Sequence, residues 1–141
     1  MFGVGENLSK GNIVLWAKGA LEKEEELNII DDQFRSPTLA EDLAQACILA
    51  LEKRAKGVYN ISGNDIMSIF EMVERMANFY GIDKSIINRI STATLNQKAI
   101  RPARTGFILD KSVNELSYQP HSFEEGLAIV EQQILEQENH N

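Results

Sequence analysis

The chain has 141 residues, which suits one domain that buries about 68 to 70% of the surface of its unfolded chain. Its 43% hydrophobic and 25% charged content and its lack of a long apolar run or signal peptide predict a cytoplasmic protein without a membrane partner. A net charge of −7 argues against nucleic acid as a partner, and one cysteine with two histidines excludes a disulfide framework, a zinc cluster and a histidine-based triad.

The first predicted helix covers residues 12–22 and is apolar on nearly every side through residues 13–17. Such a helix packs against more than one surface, and this one carries Trp16. We therefore expect an exposed apolar patch, or self-association, in the isolated chain.

Three further helices are predicted where a hydroxyl residue is followed three positions later by glutamate, the spacing of a capping box. The three pairs are Thr38 with Glu41, Ser68 with Glu71, and Ser122 with Glu125. Gly81 is placed to end the second of these helices. In the first, an apolar face predicts that Cys47 is a small buried side chain; that face comprises Leu39, Leu43, Cys47, Ala50 and Leu51.

Short strands are predicted between the helices, at residues 27–30, 58–61, 86–90 and 105–109. Helices and strands therefore alternate, which indicates an α/β fold with some parallel pairing. We find no linker or internal repeat, so the expectation is a single small mixed domain over residues 1–141, with about four helices and short strands.

A basic island interrupts this acidic chain. Residues 84–111 sum to +5, so that the remainder carries −12. Its last part holds Arg101, Pro102 and Arg104, after a stretch rich in serine, threonine, asparagine and glutamine. Arginine presents planar, paired donors that match phosphate oxygens, so the island is suited to a small anion such as a diphosphate. Solvated surface charge is the alternative interpretation.

Three other patterns are weaker. Gly3 and Gly5 begin like a dinucleotide-binding fingerprint, but the third glycine and the preceding strand are missing. Tyr80 and Lys84 have a dehydrogenase spacing that Gly81 disrupts. The adjacent carboxylates at positions 31 and 32 point to opposite sides of an extended segment, so a turn or capping role is favoured over catalysis.

Several segments, taken in order, resemble the C-terminal half of the extended short-chain dehydrogenase/reductases, specifically the dTDP-4-dehydrorhamnose reductase group. These segments are residues 2–6, 12–14, 30–44, 58–63, 90–93 and 101–102. The likeness covers nearly the whole chain, and its specificity lies in the ordered set at matching spacings.

The resemblance implies that an N-terminal Rossmann domain, absent here, binds NAD(P)(H) and supplies the catalytic Ser/Thr, Tyr and Lys. This chain would then be a fragment without a cofactor site or catalytic residues, and the missing domain would be its partner. In the complete enzyme, hydride would pass from NAD(P)H to C4 of a 4-keto-6-deoxy sugar carried on dTDP. The resemblance places Asn12 beside the nucleotide sugar and Arg101 at the phosphates. It does not cover Arg104, which we expect to assist Arg101 because both lie in the basic island.

There are two departures from the family pattern. Arg35 stands where the reductases have glycine, and residues 104–107 replace an Asn-Ser run. Epimerases, dehydratases and a non-catalytic regulatory subunit of methionine adenosyltransferase share this architecture, so they remain alternatives. The sequence does not choose between NADH and NADPH, identify the sugar or base, or fix whether the protein is a homo-oligomer.

Overall fold

A computed structural model describes residues 1–5, 12–95 and 101–139. It contains five α-helices, four short β-strands and two 3₁₀ helices in this part of the chain. The helices are α1 (Ile13–Glu22), α2 (Ala40–Glu52), α3 (Ile69–Tyr80), α4 (Asp110–Leu116) and α5 (Phe123–Asn139). The strands are β1 (Leu27–Ile30), β2 (Phe34–Arg35), β3 (Met67–Ser68) and β4 (Ile87–Ile90), and the 3₁₀ helices are Lys84–Ile86 and Thr92–Leu95.

The chain forms two compact units. The first unit takes its described residues from Met1–Asn7, Ser36–Asp65 and Gly106–Asn141, and the second takes them from Leu8–Arg35 and Ile66–Thr105. The first unit therefore holds α2, α4 and α5, and the second holds α1, α3 and the strands.

In the second unit, β1 and β4 form a parallel pair, in register from Leu27 opposite Ile87 to Ile30 opposite Ile90. Strands β2 and β3 pair antiparallel. Helix α3 packs on β1, β4 and α1 through a buried face that includes Met72, Val73 and Met76. The mixed α/β class and the parallel pairing are thus confirmed.

Of the three predicted capping boxes, the one at Ser122 has both of its hydrogen bonds, and the one at Ser68 has the hydroxyl half. Ser68 Oγ accepts a hydrogen bond from Glu71 N at 3.0 Å, and α3 ends at Gly81 in the left-handed conformation, with φ of 68°. In α5, Ser122 N donates to Glu125 Oε2 at 2.8 Å while Ser122 Oγ accepts from Glu125 N at 3.3 Å. Each of these caps satisfies backbone N–H groups that the first turn of the helix leaves unpaired.

The predicted capping box at Thr38 is wrong, because α2 begins one residue later and its N-cap, Leu39, makes no side-chain hydrogen bond. Thr38 Oγ1 instead donates to Ser36 O at 3.1 Å and accepts from Gly63 N at 3.0 Å. The hydroxyl therefore joins two loop segments of the first unit.

The predicted burial of Cys47 is also wrong, since Cys47 is exposed. The buried residues of α2 are Asp42 and Ala46, so the face that meets the rest of the first unit is rotated from the apolar one. Asp42 is only 3% exposed because a neighbouring loop satisfies its carboxylate: His121 N donates to Oδ2 at 3.0 Å, and His121 Nδ1 lies 2.6 Å from Oδ1.

The strand predicted at residues 58–61 is absent. Side chains take the place of a neighbouring strand: Lys111 Nζ donates to Val58 O at 3.0 Å, and Ser112 Oγ donates to Asn60 O. Lys111 and Ser112 lie on α4, a helix that the sequence analysis missed.

The strand predicted at residues 105–109 is absent as well. Only its start is tied to a strand, through an isolated parallel bridge between Phe34 and Arg104. Ile108 is 78% exposed, whereas Leu109 is buried and leads directly into α4. The apolar run thus reflects the approach to a helix.

Candidate functional site

The candidate site lies in the second unit, where the chain leaves the carboxyl ends of the parallel strands β1 and β4. Asp31 N donates to Ile90 O at 3.1 Å, so the pairing continues one step beyond β1. Residues 32–35 and 92 follow the strand ends, and in parallel sheets this edge is where ligands commonly bind.

Three polar side chains connect the two strand ends. Thr92 donates through its backbone N to Asp32 Oδ2 at 2.8 Å and through its hydroxyl to Asp32 Oδ1. The Thr92 hydroxyl and backbone N–H hold the pKa of Asp32 below its usual value, because both stabilise the carboxylate. Gln33 Nε2 donates to Thr92 Oγ1 at 3.0 Å, which extends the chain of hydrogen bonds.

Arg35 continues this chain of hydrogen bonds. Its Nη2 donates to Gln33 Oε1 at 2.8 Å, so both ends of the buried Gln33 amide have partners. Its Nη1 donates to Phe34 O at 2.6 Å and lies 3.5 Å from Ala103 O. We call the connected side chains of Asp32, Thr92, Gln33 and Arg35 the polar relay.

The backbone beside Arg35 forms the bridge between Phe34 and Arg104. Phe34 N donates to Ala103 O at 2.7 Å, and Thr105 N donates to Phe34 O at 3.1 Å. The bridge brings the segment that carries Arg101 and Arg104 to the strand ends.

The two arginines proposed as phosphate ligands are both exposed. The Arg104 guanidinium lies 5.4 Å from the centre of the Phe34 ring, within the range of a cation–π contact. Arg101 forms no hydrogen bond or ion pair with any residue that the structure describes. No described residue therefore occupies the hydrogen-bond donors of Arg101, and they remain available to a ligand.

Asn12 serves as the N-cap of α1. Its Oδ1 accepts hydrogen bonds from Val14 N and Leu15 N, both at 3.1 Å. These two bonds do not connect it with the arginines, so its predicted role beside a ligand rests on the resemblance alone.

Other members of the basic island have structural contacts. The Arg89 guanidinium lies 4.3 Å from the centre of the Phe70 ring and 3.6 Å from Asp31 Oδ2. Lys111 belongs to the first unit, and Lys98 lies outside the described residues. The island thus contributes Arg101 and Arg104 to the candidate site, and Arg35, which lies outside the island in sequence, joins them.

The remaining patterns fit no catalytic or cofactor site in the described chain. Gly81 ends α3 directly after Tyr80, and Lys84 lies in a separate 3₁₀ helix, so the two side chains share no helical face. Gly3 and Gly5 follow no strand, and the residues after Gly5 lie outside the described ones. Within residues 1–5, 12–95 and 101–139, no three metal-ligating side chains cluster and no helix could span a membrane.

The framework formed by Gln33, Phe34 and Thr92 at the strand ends was not predicted from the sequence. Its one available signal was the polar run 31–33 directly after a predicted strand. The side chains meet across 59 positions, from Gln33 to Thr92, a separation that no local pattern reports.

Comparisons with curated sequences give two distant relatives. The chain is 28% identical over 106 residues to the spore coat polysaccharide biosynthesis protein SpsK of Bacillus subtilis, which covers 75% of this chain and 36% of that protein. It is 28% identical over 96 residues to the methionine adenosyltransferase 2 subunit beta of Xenopus tropicalis, which covers 64% of this chain and 29% of that one. The chain thus spans about a third of these relatives.

Solved structures share the fold. A dTDP-4-dehydrorhamnose reductase from Bacillus anthracis in complex with NADP matches with a TM-score of 0.79 at 24% identity, covering 94% of this chain and 45% of that one. A UDP-glucose 4-epimerase from Thermotoga maritima with UDP-glucose matches with a TM-score of 0.74 at 19% identity, covering 97% of this chain and 43% of that one. The model of one family, described as the RmlD substrate binding domain, matches residues 5–135, and the chain belongs to that family.

Proposed function

We propose that this chain is the sugar-nucleotide-binding domain of an NAD(P)-dependent reductase similar to dTDP-4-dehydrorhamnose reductase. Arg101 and Arg104 would neutralise the diphosphate, and Asn12 would contact the nucleotide or sugar. The observation that carries the proposal is the exposed arginine pair, joined by the Phe34 bridge to the carboxyl ends of β1 and β4. Family membership and the reductase of known structure support the choice of ligand.

The redox chemistry would come from elsewhere in the complete enzyme. Because the described residues provide no fit for a dinucleotide, a Rossmann domain outside this chain would bind NAD(P)H and supply the catalytic residues. That domain would be this chain's partner, and together they would bind a nucleotide sugar, with dTDP as the expected carrier. A cytoplasmic location and a homo-oligomer agree with this proposal.

Titration calorimetry of this chain with dTDP tests the binding role. Arg101→Ala should weaken binding by about 10-fold or more, because a charge-assisted hydrogen bond contributes about 1.5 to 3 kcal/mol. Arg54→Ala removes an equally exposed arginine from the first unit and should leave the affinity unchanged. Equal affinities for Arg101→Ala and the unsubstituted chain would refute the assignment of Arg101.

A second function has one observation in its favour, the match to the methionine adenosyltransferase 2 subunit beta of Xenopus tropicalis. A non-catalytic interaction module of this kind, or the C-terminal domain of an epimerase or dehydratase, would share the fold. The reductase proposal requires a glycine-rich dinucleotide loop and a helical Tyr-x-x-x-Lys in the companion domain. Reduction of a dTDP-linked 4-keto sugar by the complete protein with NADPH would separate the reductase from both alternatives.

A further inference from the structure

We infer that the polar relay is a positioning device, which holds the segment with Arg101 and Arg104 in place for an anionic ligand. This inference deepens the proposed function and rests on it for the identity of the ligand. The claim that the relay stabilises the bridge between Phe34 and Arg104 does not depend on the ligand, because it is based on the contacts of the relay alone.

The Arg35 guanidinium lies at the bridge between Phe34 and Arg104. The bridge consists of two backbone hydrogen bonds, whose acceptors are Ala103 O and Phe34 O. Arg35 Nη1 lies 2.6 Å from Phe34 O and 3.5 Å from Ala103 O, so one nitrogen approaches both acceptors. The guanidinium thus lies against the pair of bonds that attaches the arginine segment to β2.

The Gln33 side chain fixes the position of the guanidinium. Arg35 Nη2 donates to Gln33 Oε1, and the Gln33 amide is 4% exposed. A buried amide needs partners at both ends, and the Thr92 hydroxyl provides the other one. Asp32 in turn holds Thr92 through two hydrogen bonds, so the chain of contacts ends on an exposed carboxylate at the end of β1.

The geometry of arginine suits this role. Nη1 and Nη2 donate in two directions from one rigid plane, to Phe34 O and to Gln33 Oε1. A lysine ammonium at position 35 would keep the charge but lose this paired geometry. Arg35→Lys therefore separates a positioning role from a simple contribution of positive charge.

The first experiment needs no ligand. Hydrogen exchange of the Phe34 and Thr105 amides, followed by NMR, reports directly on the bridge. Thr92→Val keeps the backbone N–H that binds Asp32 but removes the hydroxyl that accepts from Gln33. We expect about fivefold faster exchange in Thr92→Val and in Arg35→Lys, the change that corresponds to one ordinary hydrogen bond.

Thr94→Val is the matched control, because it makes the same change in the same 3₁₀ helix outside the relay. The Thr94 hydroxyl donates to Ser91 O at 2.7 Å and has no bond to Gln33 or Asp32 in the described structure. Exchange at Phe34 and Thr105 should be unchanged in this variant. Unchanged exchange in Thr92→Val and Arg35→Lys, with both folded, would overturn the inference whatever the ligand.

The second experiment measures dTDP affinity as a function of salt. Thr92→Val should bind dTDP about fivefold more weakly with an unchanged salt dependence, because no cation is removed. Arg101→Ala should bind more weakly with a reduced salt dependence. The contrary outcome is that Arg35→Lys retains the dTDP affinity while Arg35→Met loses it, with no faster exchange at Phe34 in either variant. In that case Arg35 contributes only its positive charge, and the positioning role is wrong.

The two proposals fail in different ways. A chain that does not bind dTDP, or binds it equally well after Arg101→Ala, contradicts the proposed function, while the exchange experiment still decides whether the relay holds the bridge. A chain that binds dTDP through Arg101 but is indifferent to Thr92→Val contradicts the positioning role alone.

Discussion

At the scale of single residues, Tyr118 is the clearest buried polar group of the first unit. Its ring is 1% exposed, and its hydroxyl donates to Ser62 O at 3.0 Å. Burial, with a smaller contribution from the negative charge of Asp42, raises the pKa of Tyr118 to about 12. Ionising this phenol within the fold is therefore unfavourable.

The raised pKa of Tyr118 predicts a loss of stability in alkaline solution. In the unfolded chain tyrosine ionises near pH 10, whereas the folded phenol keeps its proton until about pH 12. Stability should thus be complete below pH 10 and fall as the pH rises to 12, by at most about 3 kcal/mol. Urea unfolding from pH 8 to 12 measures this, and Tyr118→Phe should flatten the decline. An equally steep decline in Tyr118→Phe would contradict the assignment.

A second prediction at this scale concerns the contact of Arg104 with Phe34. Phe34→Leu removes the aromatic face but keeps an apolar side chain and the backbone bridge. Because an exposed cation–π contact contributes about 0.5 to 1 kcal/mol, we expect dTDP affinity to fall by about two- to fivefold. In a double-mutant cycle, Phe34→Leu should have no further effect once Arg104 is alanine. Strictly additive losses would show that the ring does not act through Arg104.

At the scale of elements, the helix starts were the most predictable part of the fold. A capping box is local, so Ser68 and Ser122 could be identified from residues three positions away. Thr38 has the same spacing, but its hydroxyl is engaged by Gly63, 25 positions along the chain. A long-range hydrogen bond therefore engages the hydroxyl that the local pattern predicted as a helix cap.

Long-range contacts also limit the prediction of strands from the sequence. β1 and β4 were predicted from short runs between the helices, but residues 58–61 form a run of the same kind and no strand. Two of their carbonyls, Val58 O and Asn60 O, accept hydrogen bonds from side chains of α4, where a neighbouring strand would otherwise donate. In the candidate site, local charge identified Arg101 and Arg104, and the family resemblance also pointed to Arg101, whereas the relay depends on side chains that meet only after folding.

The close approach at Gly63 gives a prediction for the loops around α2. A Cβ at this position would overlap Pro37 O, a backbone atom that has little freedom to move. Gly63→Ala should therefore lower the free energy of unfolding by about 3 kcal/mol. Gly19→Ala is the control: its Cβ meets no atom within 4 Å in the interior of α1, and it should stabilise by about 0.5 to 1 kcal/mol. Thermal unfolding measures the stability of both variants, and a neutral effect of Gly63→Ala would contradict this account.

At the scale of the whole molecule, the chain leaves large apolar side chains on its surface in both units. In the second unit, Trp16 is 51% exposed on α1, and in the first unit Leu51 is 80% exposed on α2. Burying such side chains would contribute about 25 cal/mol for each Å² removed from water. Because the chain spans less than half of the structures it matches, these surfaces agree with the proposal that a companion domain covers part of them.

The apolar surface predicts how the isolated chain behaves in solution. Trp16 is the sole tryptophan, so its fluorescence reports on α1 without interference. We expect Trp16 to be accessible to acrylamide in dilute solution and increasingly protected as the protein concentration rises, together with an increase in mass measured by light scattering. Trp16→Gln should weaken this self-association, whereas Lys23→Gln, an exposed change just beyond α1, should not. A monomer that shows constant quenching at high concentration would mean that the exposed face of α1 does not drive association.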